Sequence, residues 1–588
     1  MADDIVLPEF EVGDFAGAGL PECDAIMKGG ITSGIVYPYA ILQIATKYRF
    51  RSLGGTSVGA IAAAFAAAAE YGRANGRPEA FLTLKRYCDA LPELMPSLFQ
   101  PAPGMKQIFA DANLVMARGS AGPLIRKTVL RALAWAAIPA VAIGGLLAAR
   151  GNPAIVAIAA ALLGALAVFG VALWLDVKRR YLNPLGALAG EDFGLCPGLT
   201  QPGHDGPALT DWMHEAIQDI AFGDPKHVPP LTFGDLAGTP GRHSIDLKMV
   251  TTNLSMRRPH TLPKLHAVAG FLPERWRAYF PEAVMDHLRA VCRPWRQYTA
   301  RPQALLFPDE QSLPVVVAAR MSLSFPVLFR AVPLLMRDVE RTKVISSLGG
   351  GKAETMIRTV YFSDGGISSN FPIHMFDSLL PSRPTFALSL EDLLADEEKV
   401  KRRVVLPTSA ADGIGVQIVP IASLFGFLWQ IVSSAKDWQD QLLSEISGQR
   451  ERIAKIYLTS NEGGLNLGMD PALSRRLMAW GYEAGTKFTD GEFDFDENRW
   501  RRFLVAYRNL RFVFGHAEDE WSRSFKDWYR GYAPLAKSYR KLSLAERQRM
   551  AEDLDALLAC AEVFRKPDPV PDPKFPQRSG ALKNVPTY

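Results

Sequence analysis

The chain has 588 residues and a mass of 64.5 kDa, 48% of it hydrophobic and 22% charged. That is enough for two to four ordinary domains or one enlarged enzyme fold, and it is not the composition of a disordered chain. Its 66 Lys and Arg against 61 Asp and Glu leave a net charge of only +5, too thinly spread to argue for nucleic acid as a partner, and Gly and Pro without a short period exclude collagen-like and low-complexity readings. Five cysteines, Cys23, Cys88, Cys196, Cys292 and Cys560, stand far apart with no CxxC pair. This argues against a disulfide framework and a Cys-rich zinc site, and favours a reducing compartment. A mean hydropathy of +0.02 is high for a wholly soluble enzyme and points to some part in contact with lipid.

Met1 is followed by Ala-Asp-Asp rather than by positive charge and an apolar run, so no secretory signal is expected. Residues 1–19 read as an N-terminal extension. Cys23-Asp24-Ala25-Ile26-Met27 reads as a short strand, 28–34 as a turn and 35–46 as a helix. Residues 48–53 read as a second strand, 54–59 as a turn and 60–70 as an Ala-rich helix. Strand–turn–helix repeated this closely predicts an α/β layer with a parallel sheet.

Gly55-Thr56-Ser57-Val58-Gly59 fits G-x-S-x-G in the setting the motif needs, a strand before it and a small-residue helix after it. Such a turn strains the serine backbone, so its neighbours must be small. The following helix then aims its N-terminal N–H groups at an oxyanion. Ser57 is the candidate nucleophile; the competing reading is a helix N-cap serine. The earlier turn, Lys28-Gly29-Gly30-Ile31-Thr32-Ser33-Gly34, exposes successive N–H groups before a helix. It is neither a Walker A loop nor a dinucleotide G-x-G-x-x-G, and suits an oxyanion hole paired with Ser57.

After Arg126, Lys127 and Arg131 the chain is uncharged over 132–149, breaks at Arg150-Gly151-Asn152-Pro153, and is uncharged again over 154–175. At about 1.5 Å per residue each run can cross or nearly cross a hydrocarbon core of about 30 Å. Pro139 lies within the first run, where a membrane helix tolerates it. Basic residues precede the pair (Arg118, Arg126, Lys127, Arg131) and follow it (Lys178, Arg179, Arg180), whereas the tip carries only Arg150. The positive-inside bias therefore predicts a transmembrane hairpin over 118–180, with both long ends cytosolic. The competing reading is a helical hairpin buried in a soluble core.

Beyond the hairpin, 245–252, 314–319, 359–363 and 452–458 read as strands. The third runs directly into Asp364-Gly365-Gly366. Asp364 is the candidate general base: a carboxylate at a strand end can take a serine proton if burial raises its pKa. The competing reading is a turn-forming Asp-Gly. Nine histidines are present and none stands in an obvious triad setting; His374 and His516 read as ordinary histidines. Residues 413–435 are uncharged, follow the basic cluster Lys399, Lys401, Arg402 and Arg403, and are interrupted by Pro420 and Gly426. An interfacial or lid helix is favoured there over a core helix or a third span. Residues 471–565 read as a helical, charged C-terminal region, and 566–588 as an extended or disordered tail.

An oxyanion loop near the N-terminus, G-x-S-x-G some way after it, and Asp-Gly-Gly far downstream together resemble the patatin-like phospholipase family, bacterial type, with an inserted hairpin. Thr251-Thr252-Asn253-Leu254-Ser255, Ala319-Arg320-Met321-Ser322-Leu323-Ser324-Phe325-Pro326, and Asn370 with Pro372 match as well. The resemblance covers residues 20–390 and extends towards 470. Its departures are Ile31 at the family's third glycine and Ser33 at its basic residue. It implies a three-layer α/β/α hydrolase in two parts, 20–117 and 181–470, with Ser57 and Asp364 as catalytic dyad. Gly29, Gly30 and Ile31 would form the oxyanion hole, with Gly34, Gly55, Gly59, Gly365 and Gly366 as supporting glycines. It further implies no cofactor, no metal, and cleavage of fatty acyl esters of membrane lipids, with membrane phospholipid as the substrate, through an acyl-enzyme; the hairpin adds that the enzyme is an integral membrane protein whose partner is the bilayer. Two other classes stay open: a Ser-His-Asp esterase of soluble esters, and a non-catalytic membrane protein that binds lipid or a partner.

Overall fold

Glu22–Met27 carries four apolar residues in six, and all but its first residue are buried, Asp24 through its pairing with Arg383. It forms β1 at the middle of the sheet, where strands covered on both faces read as continuous apolar runs. The computed structural model describes residues 7–565 except 18, 31, 119–121, 239–242, 266–267, 297–300, 350–355, 394–401, 409–417, 422–426, 428–429, 432, 435–439, 441–443, 447, 460–461, 464–466 and 536–541. The other strands are β2 (Arg49–Thr56), β3 (Gly194–Cys196), β4 (Asp246–Asn253), β5 (Arg258–Leu262), β6 (Ala269–Phe271), β7 (Leu305–Leu306), β8 (Val327–Phe329), β9 (Val332–Arg337), β10 (Ile357–Asp364), β11 (Thr385–Asp392), β12 (Val404–Val405) and β13 (Ile453–Leu458). The main sheet runs β12-β13-β11-β1-β2-β4-β10-β9-β6-β7, with β5 also on β4, and β3 pairs with β8 apart from it. Strands β13, β11, β1, β2 and β4 are mutually parallel. The extension through β10, β9, β6 and β7 is antiparallel. The chain is thus mixed α/β, with its main hydrophobic core built on this sheet.

Helix Val58–Ala74 is mostly alanine and almost wholly buried. Small side chains let it lie close to β2 and helix Leu209–Phe222. Its one acid, Glu70, is fully buried. It accepts from Arg49 Nε at 3.1 Å and from the Phe50 amide at 3.1 Å, and it pairs with Arg73. A buried carboxylate is stable only with such partners. One strand expected from sequence is absent. The β-branched run at 314–319 predicts a strand, but Val315–Ser322 is a helix, every residue of it buried and started by Pro314. A short apolar run has no periodicity to separate the two states, and tertiary burial decides.

Helices Gly122–Ala149 and Ala154–Val177 pack against each other. Small residues line the contact, Gly144 against Ala161 and Gly164 against Ile143, as in membrane helix pairs. Both are long and apolar enough to cross a membrane, and only 11% and 6% of their apolar windows are buried within the chain. A hairpin sunk in a soluble core is therefore not what forms. Val141 and Ile155 are 77% and 82% exposed. Arg131 and Arg180 meet at Asp176, at 3.8 and 2.7 Å, and Lys178 lies over the Trp174 ring, so the basic flanks of both helices gather at one end.

The C-terminal helices are not set off from the sheet at 471. Helix Pro471–Thr489 packs along Tyr37–Ala45, and Arg502 of helix Phe495–Glu520 donates to Asp377 at 2.7 Å. Much of 413–435 and all of 566–588 lie outside the described residues; within the former, Ile418, Ile421, Phe427 and Ile431 are exposed.

Candidate active site

Ser57 is the single step between β2 and helix Val58–Ala74, with φ 54° and ψ −128°. This backbone state is sparsely populated by non-glycine residues and persists only where the surroundings impose it. The surroundings here are close backbone. A Cβ on Gly55 would stand 2.4 Å from the Gly59 carbonyl oxygen, and one on Gly59 2.5 Å from that of Met27. Gly59→Ala must therefore move the end of β1, and with it the oxyanion loop. A loss of about 2 kcal/mol of stability is expected, within the range for overpacked cores, read as a lowered thermal midpoint of the detergent-solubilised chain.

The next connections converge on β4. Thr56 pairs with Val250 and Asp364 with Thr251, while β5 takes the other edge of β4, from Met249↔Leu262 to Asn253↔Arg258. β2 and β10 therefore occupy successive stretches of one edge of β4 and meet end to end, bringing Ser57 and Asp364 together from 307 residues apart in sequence (364 − 57). Gly365 turns the chain away with its Cα against the Val250 carbonyl. The Asp364 carboxylate accepts the Gly366 amide at 2.8 Å, and its own amide donates to the Ser324 carbonyl at 3.0 Å.

Segment 320–324, quoted from sequence only as a family match, wires both residues in place. Ser322 Oγ accepts the Ser57 amide at 3.1 Å and donates to the Val250 carbonyl at 2.6 Å. The Ser324 carbonyl takes the Asp364 amide and the Ser363 hydroxyl. Arg320, fully buried, donates to Ser324 Oγ at 2.6 Å and to the carbonyls of Pro197 and Arg330. Burial pushes its pKa down to about 10, which leaves it charged at neutral pH. Beyond the family match, the sequence signal for this role was a set of polar residues, Arg320, Ser322 and Ser324, inside a largely apolar run.

In the oxyanion loop one expectation needs correction. The Gly29 amide donates to the Asn370 carbonyl at 2.7 Å, so it holds the loop and is not offered to an oxyanion. Asn370 explains the glycine, since its Oδ1 stands 2.3 Å from where a Gly29 Cβ would be, and 2.8 Å from that of Gly366. The same carbonyl accepts Thr56 Oγ1 at 2.8 Å. Gly30 faces the site with its carbonyl, which accepts the Ser57 hydroxyl at 2.9 Å. Ile31 lies outside the described residues; Gly34 is buried in the turn Thr32–Val36 against the Val58 side chain. Lys28 ties the loop to β11 through the Leu390 carbonyl (2.9 Å) and Glu391 (3.1 Å). Burial alone would raise the Glu391 pKa, but the Lys28 ammonium, with Ser389 and Lys455, holds it below its ordinary value.

Beside the elbow lies an apolar cavity of about 90 Å³, lined among others by Gly34, Val58, Phe65, Trp212, Phe325 and Phe329. Cys88 opens on it, its thiol pushed well up by burial, so it stays protonated and unreactive. His374 is exposed in the turn Ile373–Phe376, and His516 stacks edge-on against Phe512. His260, not singled out from sequence, is buried on β5 opposite Thr251, its ring near Phe362. Among the described residues no three or more His, Cys, Asp or Glu side chains gather as a metal site.

The class these features define is a mixed α/β protein carrying two helices apolar enough to cross a membrane and a serine in a strained strand-to-helix turn. The chain belongs to the family of the RpoH suppressor of Rhizobium meliloti (strain 1021), to which it is 35% identical over 650 aligned positions, spanning 96% of this chain and 99% of that protein. No family model matches it. The crystal structure of VipD from Legionella pneumophila aligns over 92% of this chain and 86% of that one, at 13% identity and a TM-score of 0.30, a likeness too distant to bear on fold or function.

Proposed function

We propose that the chain is a membrane-anchored serine acyl hydrolase of the phospholipase or lysophospholipase type, a three-layer α/β/α enzyme like the patatin-like phospholipases, with Ser57 and Asp364 as its dyad. The observation that carries this reading is the elbow: Ser57 at φ 54° beside an apolar cavity, with Asp364 on the next rung of β4. Rotation of the Ser57 hydroxyl from Gly30 to Asp364 passes the proton to the carboxylate as Oγ bonds to the ester carbonyl carbon. The Gly30 amide and the first amides of helix Val58–Ala74, which have no acceptor inside the helix, hold the oxyanion. Collapse breaks the ester C–O bond, Asp364 returns its proton to the leaving alcohol, and the fatty acyl group remains on Ser57. Asp364 then takes a proton from water, whose oxygen attacks the acyl carbon, and Ser57 leaves with that proton.

The basic residues gathered at one end of the hairpin, against Arg150 alone at the tip, favour a cytosolic catalytic part. A non-catalytic lipid-binding role is the second reading. It is favoured by the engaged Gly29 amide and by a serine proton given to a carbonyl. A long-chain fluorophosphonate, followed by peptide mass mapping, separates the two: modification confined to Ser57 is expected, and an unmodified chain, or a label elsewhere, overturns the hydrolase.

A further inference from the structure

Phe193 and Val327 combine two features that seldom occur together. They are 48% and 54% exposed, and both hold positive φ, 62° and 68°, the backbone state that bulky and β-branched residues most oppose. Strain of that kind persists where surrounding structure imposes it and clusters at functional sites. Here the backbone imposes it at Phe193, which follows Asp192, itself at positive φ (49°) and buried in its pairing with Arg275 and Tyr279, and the turn leaves both side chains facing out. Val327 pairs with Gly194, the residue after Phe193, so the two stand side by side. The Phe193 ring meets Tyr361 edge-on at 5.2 Å. The Tyr361 carbonyl accepts the Leu254 amide at 3.0 Å, and so Leu254 and Met256, 45% and 40% exposed, extend the same patch.

The patch adjoins both the hairpin and the cavity. The Phe193 amide donates to the Leu188 carbonyl at 2.7 Å, directly after helix Asn183–Ala187, in which the second hairpin helix ends. Leu328 and Phe329, next to Val327, line the cavity beside Ser57. The neighbouring acids are paired: Asp192 with Arg275 and Tyr279, Glu191 with Arg330. Arg257 and Arg258 are exposed beside Met256. Apolar side chains rimmed by arginine, at the charged end of a hairpin, match the composition of a surface that enters the headgroup layer.

We propose that Phe193, Val327, Leu254 and Met256 form an apolar foot seated in the interfacial layer of the same bilayer that the hairpin enters, and that lipid esters pass over it to Ser57. The passage rests on the hydrolase reading; the contact rests only on continuity with the hairpin. Four of the five native cysteines are buried, so in a Cys560→Ser background a single new thiol can be labelled with the fluorophore NBD. Phe193→Cys, Val327→Cys and Met256→Cys are compared with Asp246→Cys, which lies at the opposite end of β4, eight residues (254 − 246) or about 26 Å from Leu254. In full-length protein reconstituted into phosphatidylcholine–phosphatidylglycerol vesicles, nitroxide-labelled lipid should quench the first three at least about twofold, as expected for burial at the headgroup–acyl boundary, and leave the label at 246 bright. If all three foot positions are quenched no more than 246, the foot is wrong even if the chain hydrolyses lipid. If they are quenched while no ester is cleaved, the foot stands and the hydrolase reading fails.

Discussion

Ser57→Ala is expected to lower fatty acid release from phospholipid vesicles by at least about 10³-fold, since losing a nucleophile removes covalent catalysis outright. The residual rate should be set by what the oxyanion donors and substrate binding can do alone. The substitution is mild structurally. Its hydroxyl donates to the Gly30 carbonyl, whereas the amide that anchors the elbow, bonded to Ser322, is kept. Thermal stability should therefore change little while release disappears. The assay is run on purified wild type and variant in the same vesicles without added metal. Release equal in both would show that a different group, or a contaminating enzyme, does the chemistry.

The elbow was legible because steric demand leaves a spacing behind it. Only glycine lets the Gly59 backbone lie against Met27 and Lys28, and G-x-S-x-G records that demand in the sequence. The hairpin was legible because length and lack of charge are the properties a bilayer selects. Of the parallel strands, β1, β4 and β13 match the sequence reading within a residue and β2 within three, whereas β11 was missed; the order was not legible either, because pairing partners such as β1 and β11 are more than 350 residues apart and nothing local encodes them. Segment 315–322 was misread for the related reason that burial, not periodicity, makes it a helix. Gly29 was assigned to the oxyanion hole because its residue type fits. Only the fold reveals that the Asn370 carbonyl takes its amide. Phe193 and Val327 left no mark at all, since a positive φ at a non-glycine residue cannot be read from composition.

Asp364→Asn is expected to reduce kcat by about 10²–10⁴-fold with little change in KM, as for loss of a general base. The amide is nearly isosteric and can still accept the Gly366 amide through its oxygen, so the turn after β10 should hold. What it cannot do is take the Ser57 proton. The informative partner is His260→Gln. If the serine used a histidine, His260 would be the nearest by topology, buried across Thr251 from Asp364, and its loss would be as severe as that of the aspartate. The dyad predicts instead that His260→Gln retains activity within about threefold, a loss of packing rather than of chemistry. Residue Asp364 would then act on Ser57 directly, and its position at the end of β10, where that strand meets β2 along β4, would be the geometric device that replaces the missing histidine.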